Sequence, residues 1–228
     1  ARHIEALARD YPVYGLKTVT SYIQSYVKHL LTKRGSAFLD LAARHDWPIL
    51  IHSAVHPGDP WANVFDILAV ARARPDLRIG IAHTARFCRR ALEMANDLPN
   101  CFVDLSAFHI HCRLARDNSP TVSPGDERFP ADYRRPLSAM KKIVRAFPDT
   151  MIWGTDTPAY RFFGSFTDDT GRTLTVRLEC DWDTEVKALR RLAPATVRRI
   201  AHDNTLRFLF GHRGLSPRSC QRHPLPVP

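Results

Sequence analysis

The chain of 228 residues has no Cys-x-x-Cys pair, no apolar run near the roughly 18 residues a membrane span requires, and no repeat of 20–50 residues. The first absence removes thioredoxin-like and zinc-ribbon readings, the second a membrane helix, the third a solenoid or propeller. Five cysteines stand at 88, 101, 112, 180 and 220. An odd number at irregular spacing suits reduced thiols in a cytoplasmic protein better than a disulfide framework. The first residue is Ala rather than Met, and no signal-peptide pattern follows it, so the chain reads as a fragment or a processed form. Acidic residues are in deficit, 23 against 33 Lys and Arg, for a formal net charge of +10. The basic residues are spread in pairs such as Arg89-Arg90, Lys141-Lys142 and Arg198-Arg199. That pattern fits solvated helix faces better than a nucleic-acid stripe, and it favours anionic small substrates.

What is present is ordinary for a globular domain: 44% apolar and 25% charged residues, enough chain for one good core. Strand-like and helix-like segments alternate. Strands are predicted at 13–19, 48–51, 77–82, 101–105 and 151–153, and helices at 35–45, 61–74, 87–96, 137–147, 185–192 and 195–210. A polar loop is expected at 117–130 and a polar stretch at 164–171. The strands are apolar throughout, as in a parallel sheet covered on both faces. Residues 1–211 read as one α/β domain. Residues 212–228, rich in Pro and Arg and without an acid, read as a disordered tail.

Three of these strands end on metal-competent side chains: Ile49-Leu50-Ile51-His52, Ile79-Gly80-Ile81-Ala82-His83 and Ile152-Trp153-Gly154-Thr155-Asp156. Parallel strands side by side bring their C-terminal ends to one edge, so residues 104 positions apart in the chain can meet there. A lone His at a strand end is more often structural than a ligand, but three such endings are a constellation. Neutral imidazole and carboxylate suit Zn²⁺ and similar ions. The remaining histidines lack this setting. His56 lines the pocket or faces solvent, and the triplet His109-Ile110-His111 is assigned to a loop with a structural or solvent-facing role.

These residues, with Gly15-Leu16-Lys17, the run 75–83, Asn100-Cys101-Phe102-Val103-Asp104-Leu105-Ser106, Trp153-Gly154-Thr155-Asp156-Thr157-Pro158 and the closing run 199–211, resemble the amidohydrolase superfamily, in its amidohydrolase-related branch. The resemblance covers most of residues 13–211. It implies a (β/α)8 TIM barrel with a divalent metal, commonly zinc. It implies metal ligation by His52 and Asp156, catalysis by His83 and by Asp156 handling the proton of the attacking water, and a pocket lined by Lys17. Arg86 is a second candidate for binding a substrate carboxylate, or else a solvent-exposed residue at a helix start. The family opens with a strand bearing His-x-His. No such strand precedes residue 13, so only strands 4–8 and half of the ligand set are expected, with open sheet edges.

The activity so implied is metal-dependent hydrolysis of a C–N or C–O bond in a small molecule, with non-oxidative decarboxylation on the same scaffold as the alternative. A non-catalytic remnant lacking a complete metal site is the competing reading from another class. The expected partner is a small molecule, a carboxylate by preference, with a homodimer as the candidate assembly and neither nucleic acid nor membrane engaged.

Overall fold

The computed structural model describes residues 2–55, 59–157, 161–167, 171 and 173–211. A helix α1 (Arg2–Asp10) precedes five short strands: β1 (Leu16–Thr18), β2 (Ile49–Ile51), β3 (Ile79–Ile81), β4 (Cys101–Asp104) and β5 (Met151–Ile152). They form one parallel sheet in sequence order, β1-β2-β3-β4-β5. The connections carry α2 (Lys33–Arg44), α3 (Val64–Ala73), α4 (Arg89–Asn96), then α5 (Phe108–Arg116) and α6 (Pro136–Ala146). This is the expected architecture: a five-strand portion of an amidohydrolase-type (β/α)8 barrel, with β1 and β5 each paired on one side among the described residues. No helix among the described residues is long and apolar enough to cross a membrane.

Each strand is three or four residues at most, shorter than its apolar run, because the ends of each run turn out of the ladder. Alternation then divides the side chains. Ile49, Ile51, Ile79, Ile81, Cys101, Val103 and Met151 are buried in the main core with the helices. Leu50 is in register with Gly80, and Gly80 with Phe102, on the opposite, inner face. Residues two further on, such as His52 beyond Leu50 and Asp104 beyond Phe102, share that face.

The helix starts follow local chemistry. The Thr32 side chain accepts from Gly35 N at 3.2 Å to cap α2. Asn63 Oδ1 accepts from Phe65 N at 2.9 Å for α3, and Pro136 opens α6 where its missing N–H costs nothing.

After β5 the chain departs from plain alternation. The polar stretch expected at 164–171 belongs to an antiparallel hairpin, β6 (Arg161–Thr167) and β7 (Thr173–Glu179), separate from the main sheet. Then come α7 (Trp182–Arg190), α8 (Pro194–Arg198), a π-helical turn (Arg199–Asp203) and α9 (Asn204–Phe210). The closing helix predicted over 195–210 is thus present, helical without a break from Pro194 to Phe210 and carrying a π turn inside it. Phe208 of α9 packs on the inner face with Phe102 and Ile152, its ring 5.3 Å from that of Phe102. Arg78, just before β3, anchors this end by donating from Nε to Phe208 O at 2.7 Å and from Nη2 to Leu209 O at 3.2 Å. Gly80 makes room: a Cβ there would stand 2.8 Å from Leu50 Cδ1 and 3.0 Å from Phe208 Cζ. The inner face is therefore filled toward the N-terminal ends of the strands, and the polar side chains collect at the other end. The tail assigned to 212–228 lies outside the described residues.

Candidate active site

The backbone changes hand where β3 ends. His83, Thr84, Ala85, Arg86 and Phe87 all have positive φ, between 48° and 62°. A left-handed turn of five non-glycine residues costs about 1–2 kcal/mol per residue, so about 5–10 kcal/mol in all must be offset by what holds it. Asp104 Oδ1 accepts from His83 N at 2.7 Å, Arg86 O accepts from Ser123 N at 3.0 Å, and Phe87 O accepts from Phe129 N at 2.8 Å. The loop expected at 117–130 thereby clasps the turn. With about three residues per turn, positions i and i+3 eclipse, and His83 and Arg86 point to the same side. Positive φ recurs at Ala107 after β4 and at Asp156 after β5, so the strain gathers at one edge of the sheet.

The hydrogen bonds there have one polarity. A guanidinium only donates. Arg86 Nη2 therefore donates to His52 Nε2 at 3.1 Å, which leaves the proton of His52 on Nδ1. That proton faces His83 Nε2 at 2.9 Å. His83 in turn carries its proton on Nδ1, 3.0 Å from Ser106 Oγ, and Ser106 Oγ donates to Asp104 Oδ1 at 2.6 Å. Arg86 Nη1 donates to His111 Nε2 at 2.6 Å, and His111 Nδ1 donates to Ala107 O at 2.8 Å. Nε of Arg86 completes the set on Ser53 O at 2.5 Å.

Burial and the Arg86 charge keep all three imidazoles neutral. Burial, then Arg86 and Lys17, lowers His52 to about 3. Burial and then Arg86 push His83 and His111 well below the ordinary imidazole value. Arg86 itself falls to about 10 through burial, with Asp59, Asp156 and Asp104 pulling it back, and stays cationic at neutral pH. Burial raises Asp156. Lys17 opposes this most, the Asp104 charge adds to the rise, and Arg86 opposes it again.

The structure brings His52, His83 and Arg86 into direct contact, with the charges of Lys17 and Asp156 acting on the same cluster. Lys17 is exposed on β1, His52 and Asp156 are half-buried, and His83 is buried behind His52. Arg86 is not the solvent-exposed helix-start residue of the alternative reading: it is 7% exposed, and all three of its nitrogens are engaged. His111 is a second correction. It lies not in a loop but on α5, buried against Arg86, with its ring 4.8 Å from that of His83. The signal was in the sequence: Phe108, His111, Cys112 and Ala115 recur at i, i+3, i+4 and i+7, a buried helical face. Asp104 and Ser106, which orient the cluster, were also missed as site residues. His56 lies outside the described residues.

In kind, the donors suit a divalent ion. Neutral imidazoles offer lone pairs, those of His52 and His111 already converge on a cation (the guanidinium), and the Asp156 carboxylate is an anion that burial disfavours. In number they fall short. Donor atoms of His52, His83 and Asp156 do not gather within 4.8 Å of one another; among the described residues that condition is met by His109, Cys180 and Glu185.

A family model described as amidohydrolase matches residues 2–211. Solved structures share the fold. An amidohydrolase from Burkholderia multivorans with bound zinc superimposes with a TM-score of 0.59 at 12% identity, covering 92% of this chain and 69% of that one. Dihydroorotase from Campylobacter jejuni gives 0.54 at 12% identity, covering 89% and 59%. No curated protein matches the sequence.

Proposed function

Because this chain belongs to the amidohydrolase family, we propose that its sheet edge serves hydrolysis of a C–N or C–O bond in a small molecule, with His52 and Asp156 contributing ligands to a divalent ion of the zinc class. The observation that carries this reading is the fixed polarity of the Arg86–His52–His83–Ser106–Asp104 network. It holds His52 neutral with its lone pair on Nε2, the form a metal ligand requires. Such an ion supplies positive charge that polarises the scissile group and makes water a stronger acid.

The chain's own residues do the rest. Arg86 must release His52 Nε2 for that atom to ligate. His83 is a positioning residue in this arrangement, because its Nε2 accepts the His52 proton and so fixes the tautomer. Asp156, half-buried and raised in pKa, takes the proton of the attacking water and returns it to the leaving nitrogen or oxygen. Lys17, exposed on the same face of the sheet, attracts a substrate carboxylate.

The test is metal analysis of the protein beside assays on a panel of carboxylate-bearing amides and lactones. The reading expects a bound divalent equivalent that His52→Ala removes, and turnover that Asp156→Asn abolishes with the circular dichroism spectrum unchanged. Less than about 0.1 equivalent of metal, with no gain on adding zinc, would leave the non-catalytic reading in its place. Release of CO₂ without hydrolysis would shift the reaction to the carbon–carbon lyase.

A further inference from the structure

On α5, His109 and His111 are two residues apart and so lie on opposite sides of the helix. His111 turns to Arg86, and His109 turns to α7. His109 Nδ1 lies 3.0 Å from Glu185 Oε2. It is out of hydrogen-bond alignment there, and it stays buried without a hydrogen-bond partner. Glu185 is 1% exposed, a carboxylate buried in the first turn of α7. Its Oε1 accepts from His109 N at 3.0 Å and from the Cys180 thiol at 3.7 Å. A buried carboxyl group, an imidazole nitrogen without a hydrogen bond and a thiol thus face one another.

We propose that His109, Cys180 and Glu185 form a divalent-metal site of the zinc class that clips α5 to the start of α7, apart from the edge of the sheet. One ligand atom from each residue lies within 4.8 Å of the others. Tetrahedral zinc with ordinary bond lengths sets N···O at about 3.4 Å and S···O at about 3.6 Å. His109 Nδ1 stands 3.0 Å from Oε2 of Glu185 and Cys180 Sγ 3.7 Å from its other oxygen, Oε1, so the carboxylate must turn to offer one oxygen to both. The donor set of one thiolate, one imidazole and one carboxylate suits zinc or cobalt better than magnesium or calcium. Binding replaces the thiol proton: the sulfur keeps its electron pair and bonds the ion, and the proton leaves to solvent. Without the ion, burial and then the Glu185 charge hold that thiol up at about 12, so the bare site stays protonated. A fourth position is left for water.

The competing account is a structural one, in which Glu185 simply caps the N-terminus of α5. Cobalt(II) titration of the full chain separates the two, because a thiolate–cobalt charge-transfer band requires sulfur ligation and, among the described residues, the His52 cluster holds no cysteine. The band should saturate at one equivalent in His52→Ala, persist in Cys220→Ser, and vanish in Cys180→Ser. Glu185→Gln retains an oxygen for the His109 N–H, so the cap survives. It should nonetheless weaken zinc binding at least about 100-fold, since even residues behind a ligand cost about 10–100-fold. Zinc should also protect Cys180 from alkylation. A band that is absent, or that survives Cys180→Ser, or equal alkylation of Cys180 with and without zinc, overturns the site.

Discussion

Acid should unfold this protein through His52. The folded value of about 3 lies below the ordinary 6.5, so between those limits the unfolded chain binds a proton that the folded chain refuses. The sign follows: this contribution is fully present above pH 6.5 and is lost as the pH falls toward 3. Moving from pH 7 to pH 4 removes about 3 kcal/mol through this one residue, at 1.36 kcal/mol per pKa unit. That is a large part of the 5–15 kcal/mol by which a domain is normally stable. His83 and His111 are depressed by the same causes and add in the same direction. Asp156 acts oppositely, because its raised folded pKa favours proton uptake by the folded state as the pH falls. The difference between wild type and His52→Gln isolates the imidazole from the carboxylates. Urea unfolding at pH 7 and pH 4, with a chelator present, should show the wild type losing about 3 kcal/mol more than the variant. Equal losses in the two proteins would refute the claim that the fold holds His52 neutral.

Three further outcomes are expected. Gly80→Val should lower the thermal midpoint by the equivalent of about 1–3 kcal/mol, since the added atoms meet Leu50 and Phe208 in a filled inner face; a neutral result would mean α9 does not pack there. Asp104→Ala should cost about 3–5 kcal/mol in chemical denaturation, because it strands His83 N, Ser106 N and Ser106 Oγ in a buried site, and Asp104→Asn should recover part of that loss. Ala85→Gly should be close to neutral in the same assay, because relief of about 1–2 kcal/mol of left-handed strain offsets the lost methyl and the added chain entropy; a loss of more than about 1 kcal/mol would argue that the turn is not left-handed at Ala85.

The sheet was legible because parallel strands buried on both faces must be continuously apolar, and His52, His83 and Asp156 followed from where such strands end. The side-chain partners were not legible in the same way. Arg86 read as a pocket cation or else a helix-start residue, and not as the centre of a histidine network, because the left-handed turn has no signature in residues that ordinarily avoid positive φ; no glycine marks it. Ser106 and Asp104 act through a network whose polarity appears only once Arg86 is placed. His111 had a readable signal, the helical face it shares with Phe108, Cys112 and Ala115, but its place several residues past the apolar run of the strand read as loop. The β6–β7 hairpin escaped because the stretch 164–171 is polar and read as a connection, and its antiparallel pairing lies apart from the main sheet.

The turn at 83–87 also bears on how the sequence can vary. With three residues per turn, deleting or inserting one residue between His83 and Arg86 swings the guanidinium about 120° around the axis, away from His52 and His111 together. Point substitutions at Thr84 and Ala85 leave that phase intact, whereas a change of length does not. The two-residue spacer is therefore a unit of geometry, and its length should be harder to alter in a functional variant than either residue within it.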